Sequence, residues 1–363
     1  MKIAIIGTRG IPNYHGGFEQ FAEYFSVYLA EKGHDVFTYN SMKHPYQENT
    51  YKGVHIIHCK DPEDKIGTPG QFIYDLNCIL DARKRNFDII LQLGYTSSSI
   101  WGQLLPKNAL IITNMDGLEW KRSKYAKPVQ RFLKFAENLA IKSSDYLISD
   151  SIGIQNYLSN EYSVHSKYIA YGANIFDTPD EKVLEQYNVE KHRYNLLIAR
   201  FEPENNLETI LDGVALSEQK DVFLVVGKHD VNKFGAYLKE KYLNSKNIRF
   251  IGGIYNLEHL NNLRYYSNLY FHGHSVGGTN PSLLEAMACK TLIVAHDNEF
   301  NKAILKTNAF YFKTAHHVKE FLDGTKKSQH EDKALNCLYD VEQLFNWPLI
   351  NKQYLDFFNE CKK

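Results

Sequence analysis

Apolar residues in this chain fall into short uninterrupted runs, separated by stretches in which they recur every three or four positions. The runs over 2–7, 35–39, 54–58, 88–93, 109–114, 146–149 and 167–170 have strand length, and an amphipathic helix is predicted over 18–32. A strand with no polar alternation is covered on both faces, which is the signature of a parallel sheet layered between helices. The pattern loosens over 174–193, where Thr178-Pro179-Asp180 is a helix-start signal. It then resumes with strands over 194–199, 222–226, 248–251, 269–271 and 292–295 and helices over 207–217, 257–267 and 281–288. Alternating strand and helix in two blocks predicts two similar α/β domains, 1–172 and 173–343, hinged near 172–190. Ligands of such domains bind at the C-terminal ends of the strands, so a cleft between the two is the expected site. The segment 344–363 carries Trp347, Tyr354, Phe357 and Phe358 at helical spacing and reads as a helix with one buried face, whose plainest role is to close the second domain.

Composition narrows the function classes. Lys plus Arg and Asp plus Glu are equal at 42 each, so no overall charge points to nucleic acid, and electrostatic specificity must be local. The first apolar run is too short for a signal-peptide core, and no run approaches the ~20 apolar residues of a membrane span. The reading is a cytoplasmic protein. Five dispersed cysteines without a C-x-x-C pair suggest neither a disulfide framework nor a zinc knuckle; they read as small apolar residues or, near the end of the chain, as surface thiols.

The candidate chemistry lies just after the strands. The first turn, G-T-R-G-I-P-N-Y-H-G-G-F-E-Q, starts at Gly7 and opens a helix at Gly16-Gly17, whose amides can approach an anion. It lacks the G-x-G-x-x-G spacing, and the second strand ends at Tyr39-Asn40 without a ribose-binding acid, which disfavours a nicotinamide enzyme. Arg200 follows the strand over 194–199, where a planar guanidinium can clamp a diphosphate or, equally, pair with Glu202 or Glu204. Lys228 ends the next strand and offers a second cation. In H-G-H-S-V-G-G-T-N-P-S-L-L-E-A-M-A, Asn280 can cap a helix that begins at Pro281. Gly277 and Gly278 expose amides before it, and Glu285 sits on its second turn as a candidate hydroxyl acceptor. Asp116 and Glu119 follow another strand and can meet a sugar, on whose face Trp120 can stack. Lys121, Arg122, Lys124, Lys127, Arg131 and Lys134 run without an intervening acid; such a stretch is either a solvated helix face or a seat for an anionic membrane or pyrophosphate. No D-x-D occurs, and the pairs His272/His274 and His316-His317 lack metal-ligand spacing, so no metal and no cofactor is expected. If the strand extends that far, His272 and His274 share one of its sides, where they read as core or cleft hydrogen-bonding residues.

Together G-T-R-G-I-P-N-Y-H-G-G-F-E-Q, N-M-D-G-L-E-W-K-R, A-R-F-E-P-E-N-N and H-G-H-S-V-G-G-T-N-P-S-L-L-E-A-M-A resemble the family 4 glycosyltransferases across nearly the whole chain, and most closely the bacterial rhamnosyltransferase-like branch of polysaccharide synthesis. The resemblance implies two Rossmann-like domains facing a cleft in the GT-B arrangement, with the C-terminal helix crossing back onto the first domain. It implies a retaining, metal-independent transfer of a sugar, such as L-rhamnose from dTDP-rhamnose, to a lipid-linked or oligosaccharide acceptor at the inner face of the membrane. Arg200 matches the diphosphate-binding arginine and Glu285 the ribose-binding glutamate. The implied donor site comprises Gly16, Gly17, Arg200, Lys228, His274, Gly277, Gly278, Thr279, Asn280, Ser282 and Glu285. The acceptor side comprises His15, Glu19, Asp116, Glu119 and Trp120, and Asp116, Arg200 and Lys228 are the catalytic candidates. The chain departs from the family pattern where Gly277 replaces the first glutamate of the donor motif, Asn205 replaces a lysine, and Met115 replaces a histidine. A nucleotide-sugar epimerase of the same fold and a non-catalytic nucleotide or lipid-headgroup binder are the alternatives.

Overall fold

The computed structural model describes every residue except His15 and Asp116, so those two candidates lie outside the described residues. The chain divides into two compact units. One comprises Met1–Lys121, Tyr125–Tyr171 and Trp347–Lys363; the other comprises Arg122–Lys124 and Gly172–Asn346.

The first unit is built on β1 (Lys2–Ile6), β2 (Asp35–Ser41), β3 (Thr50–Tyr51), β4 (Val54–Cys59), β5 (Ile89–Leu93), β6 (Leu110–Asn114), β7 (Tyr146–Ser149) and β8 (Lys167–Tyr168). They lie in the order β3-β4-β2-β1-β5-β6-β7-β8. All pairs are parallel except the two-residue β3, which forms a hairpin with β4. The central strands β1 and β5 are buried along almost their whole length, as their unbroken apolar runs require. The second unit carries β9 (Tyr194–Ile198), β10 (Val222–Val226), β11 (Ile248–Gly252), β12 (Tyr270–His272), β13 (Ile293–His296) and β14 (Phe310–Phe312). Its order is β11-β10-β9-β12-β13-β14, all parallel. Each sheet grows outward in both directions from its first strand. The order therefore reverses between β1 and β5 in one and between β9 and β12 in the other, the doubly wound topology of Rossmann-like domains.

The C-terminal helix Trp347–Cys361 belongs to the first unit. Its aromatic stripe meets the helix Gly17–Glu31: Tyr354 packs against Phe21 and Phe25, Phe358 against Phe25, and Trp347 stacks on Tyr24 at 4.5 Å. Tyr354 is fully buried and its hydroxyl accepts from Asn114 Nδ2 at 2.9 Å, at the end of β6. All five cysteines are buried, which corrects the expectation of exposed thiols near the end of the chain: even Cys361 faces inward from the last helical turn. Among the described residues no helix is long and apolar enough to cross a membrane.

Candidate functional site

In doubly wound sheets the loops leaving the two strands at the order reversal diverge and open a crevice at the strands' C-terminal ends. In the second unit those loops follow β9 and β12, and they carry Arg200 and the segment 273–280. They are stitched together closely. Asn205 donates to the Arg200 carbonyl at 2.8 Å and meets His274 Nδ1 at 2.8 Å through its own side-chain oxygen. Asn206 donates to the Gly273 carbonyl at 2.7 Å, and Ser275 donates to the Glu204 carbonyl through both its backbone and its hydroxyl. Gly273 is required here, since a β-carbon would lie 1.9 Å from the Asn205 carbonyl oxygen. Asn205, which sequence comparison marks only as a missing lysine, is thus the tie between the two loops.

The Arg200 side chain is exposed and makes no hydrogen bond or ion pair among the described residues. The alternative of a structural salt bridge is not realised, because Glu202 pairs with Lys124 at 3.7 Å and Glu204 accepts from Ser123 at 3.3 Å. Burial, reinforced by the Arg122 and Arg200 guanidiniums, pushes the His274 imidazole down to about 4, which keeps it neutral at pH 7. His272 is pushed down to about 3 by its own burial and by His274. The strand ends at His272, so the two histidines do not share a strand face; His274 already stands in the loop. Lys228, exposed after β10, lies 5.3 Å from the Tyr255 ring centre.

The helix Pro281–Ala288 begins as its sequence dictates: Asn280 Oδ1 accepts from the Ser282 amide at 2.9 Å and Pro281 occupies the first turn. Gly277, at φ +117°, turns the chain into this start, and Thr279 is buried. Removing the cap in Asn280→Ala should cost about 1 kcal/mol, read as a lower urea midpoint. An unchanged midpoint would show that the helix start is held otherwise.

Glu285 has a partner that sequence reading missed. Arg264, on the helix Leu257–Tyr266, is 1% exposed and donates to Glu285 Oε2 at 2.6 Å, Ser282 Oγ at 3.0 Å and Asn261 Oδ1 at 3.0 Å. Burial works against its charge, but the Glu285 carboxylate outweighs it and holds the guanidinium above its ordinary pKa. The Ser282 hydroxyl also meets the Tyr270 hydroxyl at 3.1 Å, so this candidate donor contact is engaged inward.

In the first unit the reversal lies between β1 and β5, and a cavity of about 190 Å³ opens there. It is lined from the loop after β1 (Gly7, Thr8, Arg9), the loop after β5 (94–98), the helix Gly17–Glu31, the helix Pro69–Ala82, and Glu119. Glu19, predicted on the acceptor side, is buried and accepts from the Arg9 amide at 2.9 Å. Asp75 was not anticipated: it is buried, accepts from Ser97 Oγ at 2.5 Å, and burial pushes its carboxyl up to about 6. The sequence signal that could have found the wall is Leu93-Gly-Tyr-Thr-Ser-Ser-Ser, a glycine followed by hydroxyls at a strand end.

Gly16 stands immediately before the helix Gly17–Glu31, as its N-cap. The Lys134 ammonium lies 4.7 Å and that of Lys121 5.4 Å from the Trp120 ring centre. The six cations do not form one free basic face. Lys134 pairs with Glu137 at 3.3 Å and Glu161 at 3.0 Å and lies among the Tyr157 and Tyr162 rings, and Lys124 pairs with Glu202, while Lys127 and Arg131 are exposed. The acid three residues after Lys134 and a ring of tyrosines absorb its charge. Among the described residues no three His, Cys, Asp or Glu side chains are grouped to hold a metal.

Residues 1–174 match a family model described as a domain of unknown function, DUF1972, and residues 180–336 match "Glycosyl transferases group 1". No curated protein matches the chain in sequence. Sucrose-phosphate synthase from Thermosynechococcus elongatus is similar in structure, with a TM-score of 0.79 at 18% identity over 99% of this chain and 98% of that one. Anabaena HepE, solved with UDP-glucose, gives 0.76 at 14% identity over 99% of both chains. The α,α-trehalose-phosphate synthase (UDP-forming) of Burkholderia xenovorans, solved with glucose-6-phosphate, gives 0.70 at 11% over 99% of this chain and 100% of that one. The fold is that of the GT-B glycosyltransferases.

Proposed function

We propose, for a chain whose residues 180–336 form a group 1 glycosyl transferase domain, that the protein transfers a sugar from a nucleoside-diphosphate donor to a saccharide hydroxyl with retention of anomeric configuration. The observation that carries this reading is the Arg200 guanidinium, unpaired among the described residues, on the loop after β9 at the order reversal of the second sheet, where the loop after β12 carries the turn at Gly277-Gly278 and a capped helix start. A cation and helix-start amides on the two loops of one order reversal suit a group that gains negative charge, as a departing diphosphate does. Support for a nucleotide-sugar donor also comes from the similar fold of HepE, which was solved with UDP-glucose.

In the proposed reaction the acceptor oxygen bonds to the anomeric carbon on the face from which the diphosphate leaves. The bond to the leaving oxygen breaks, and the acceptor proton passes to a phosphate oxygen. Arg200 and Lys228 stabilise the leaving group, and Glu285, held by Arg264, receives the ribose hydroxyls. The step requires positioning and electrostatics but no protein nucleophile, and in this reading no metal or cofactor. We further assign L-rhamnose from dTDP-rhamnose as the donor, and a lipid-linked oligosaccharide in polysaccharide synthesis at the inner membrane face as the acceptor, on the strength of the motif wording alone.

Thermal-shift measurements with dTDP-, UDP- and GDP-sugars test the reading. A donor at ~100 times its Kd stabilises by about 2.7 kcal/mol and should raise Tm by several degrees, and product analysis should then show transfer only when a saccharide acceptor is present. Epimerised donor without acceptor would point to the epimerase. Nucleotide binding without any turnover would point to a binding protein.

A further inference from the structure

The cavity of the first unit has a charge balance that restricts what it can hold. Glu19, Asp75 and Glu119 all line it, and Arg9 is the one cation of its lining. The Arg9 guanidinium is already committed: it pairs with Asp61 at 3.4 Å and with Glu63, and it lies over the Tyr74 ring at 5.6 Å. Glu19 uses one oxygen on the Arg9 amide and Asp75 uses one on the Ser97 hydroxyl. Their second oxygens have no hydrogen bond among the described residues. Ionised carboxylates only accept, so the cavity favours a ligand rich in O–H donors. An anion there would stand beside like charges with no free cation to offset them. At about 190 Å³ the space is below the ~300 Å³ of the smallest drug-sized pockets, which fits one ring and not an oligosaccharide.

We propose that this cavity seats one uncharged sugar ring of the acceptor, whose hydroxyls donate to Asp75 and Glu19, and that it excludes phosphorylated and carboxylated sugars. The inference rests on the transferase reading and adds the chemical class of the acceptor. Asp75 is a specificity-determining residue in this scheme, carried into the cavity lining by the helix Pro69–Ala82 and joined there to the loop after β5 through Ser97.

Saturation-transfer NMR on the full-length protein tests this, with the methyl glycosides of rhamnose, glucose and galactose set against glucose 6-phosphate and glucuronate. At least one methyl glycoside should give a signal and the two anions none. Asp75→Leu should abolish that signal while the thermal shift with the nucleotide donor persists. Should Asp75→Leu not fold, Thr96→Trp fills the same cavity from the loop after β5 and should act alike. The paired change Glu19→Gln and Asp75→Asn should raise glucose 6-phosphate binding at least tenfold. Equal signals from neutral and anionic sugars in the parent would overturn the inference, as would silence from every methyl glycoside or a glycoside signal that survives a filled cavity. Loss of nucleotide binding in the parent would instead sink the transferase reading.

Discussion

Arg200→Ala should lower acceptor-dependent transfer by about 10²–10³-fold, the usual loss on removing one preorganised group that stabilises developing negative charge. Its affinity for nucleoside diphosphates should fall roughly 10- to 100-fold, as expected when a charge-assisted hydrogen bond worth ~1.5–3 kcal/mol is lost. Stability should hardly move. The side chain is exposed and bonds to no described residue, and substitutions of that kind usually stay within ~0.5 kcal/mol. This contrast makes the variant informative, because a structural arginine would lose stability and activity together. Arg200→Lys should recover only part of the loss, since an ammonium keeps the charge but cannot grip two phosphate oxygens with a planar fork. The variants would be compared by nucleotide titration, initial rates and urea unfolding. Parent-like nucleotide affinity in the alanine variant would remove the observation on which the donor site rests.

The parts of this arrangement differ in how legible they were in the sequence. Both parallel sheets follow from uninterrupted apolar runs: the run over 222–226 is β10 and that over 146–149 is β7. The strands that escaped, β14 and β3, have three and two residues, too few to display a period; β8 and β12 are equally short but were marked by the apolar runs over 167–170 and 269–271. The loops after β9 and β12 were visible because glycines, an Asn-Pro step and an arginine at strand ends are unusual enough to stand out. Pairings across distant segments were not. Arg264 lies 21 residues before Glu285 on another helix, and nothing local distinguishes it from a solvated arginine. Asp75 is likewise an acid on an amphipathic helix until the helix lies beside the loop after β5. The surroundings of Lys134 were hidden for the same reason, because Glu161, Tyr157 and Tyr162, which surround it, come from a later helix.

Arg264→Met should destabilise the second unit by about 3–5 kcal/mol, the cost of breaking a buried ion pair from one side. The guanidinium is 1% exposed and ties Glu285, Ser282 and Asn261 together, so its loss leaves a carboxylate and a hydroxyl short of a donor. For a domain of ~150–250 residues each kcal/mol shifts Tm by about 2–4 °C, so a fall of at least ~6 °C is expected. Methionine fills similar space, which assigns the effect to charge and hydrogen bonding and not to a cavity. The double variant Arg264→Met with Glu285→Gln should regain much of the stability, because no unpaired ion then remains. It should not regain nucleotide affinity if Glu285 accepts from the ribose through a carboxylate that Arg264 holds in place. Recovery of both would make the pair purely structural, and an unchanged Tm in Arg264→Met would mean that the ion pair does not support the fold. The two readouts separate what the buried arginine does for the domain from what it does for the ligand, since stability depends on the pair being balanced and binding depends on the carboxylate being present.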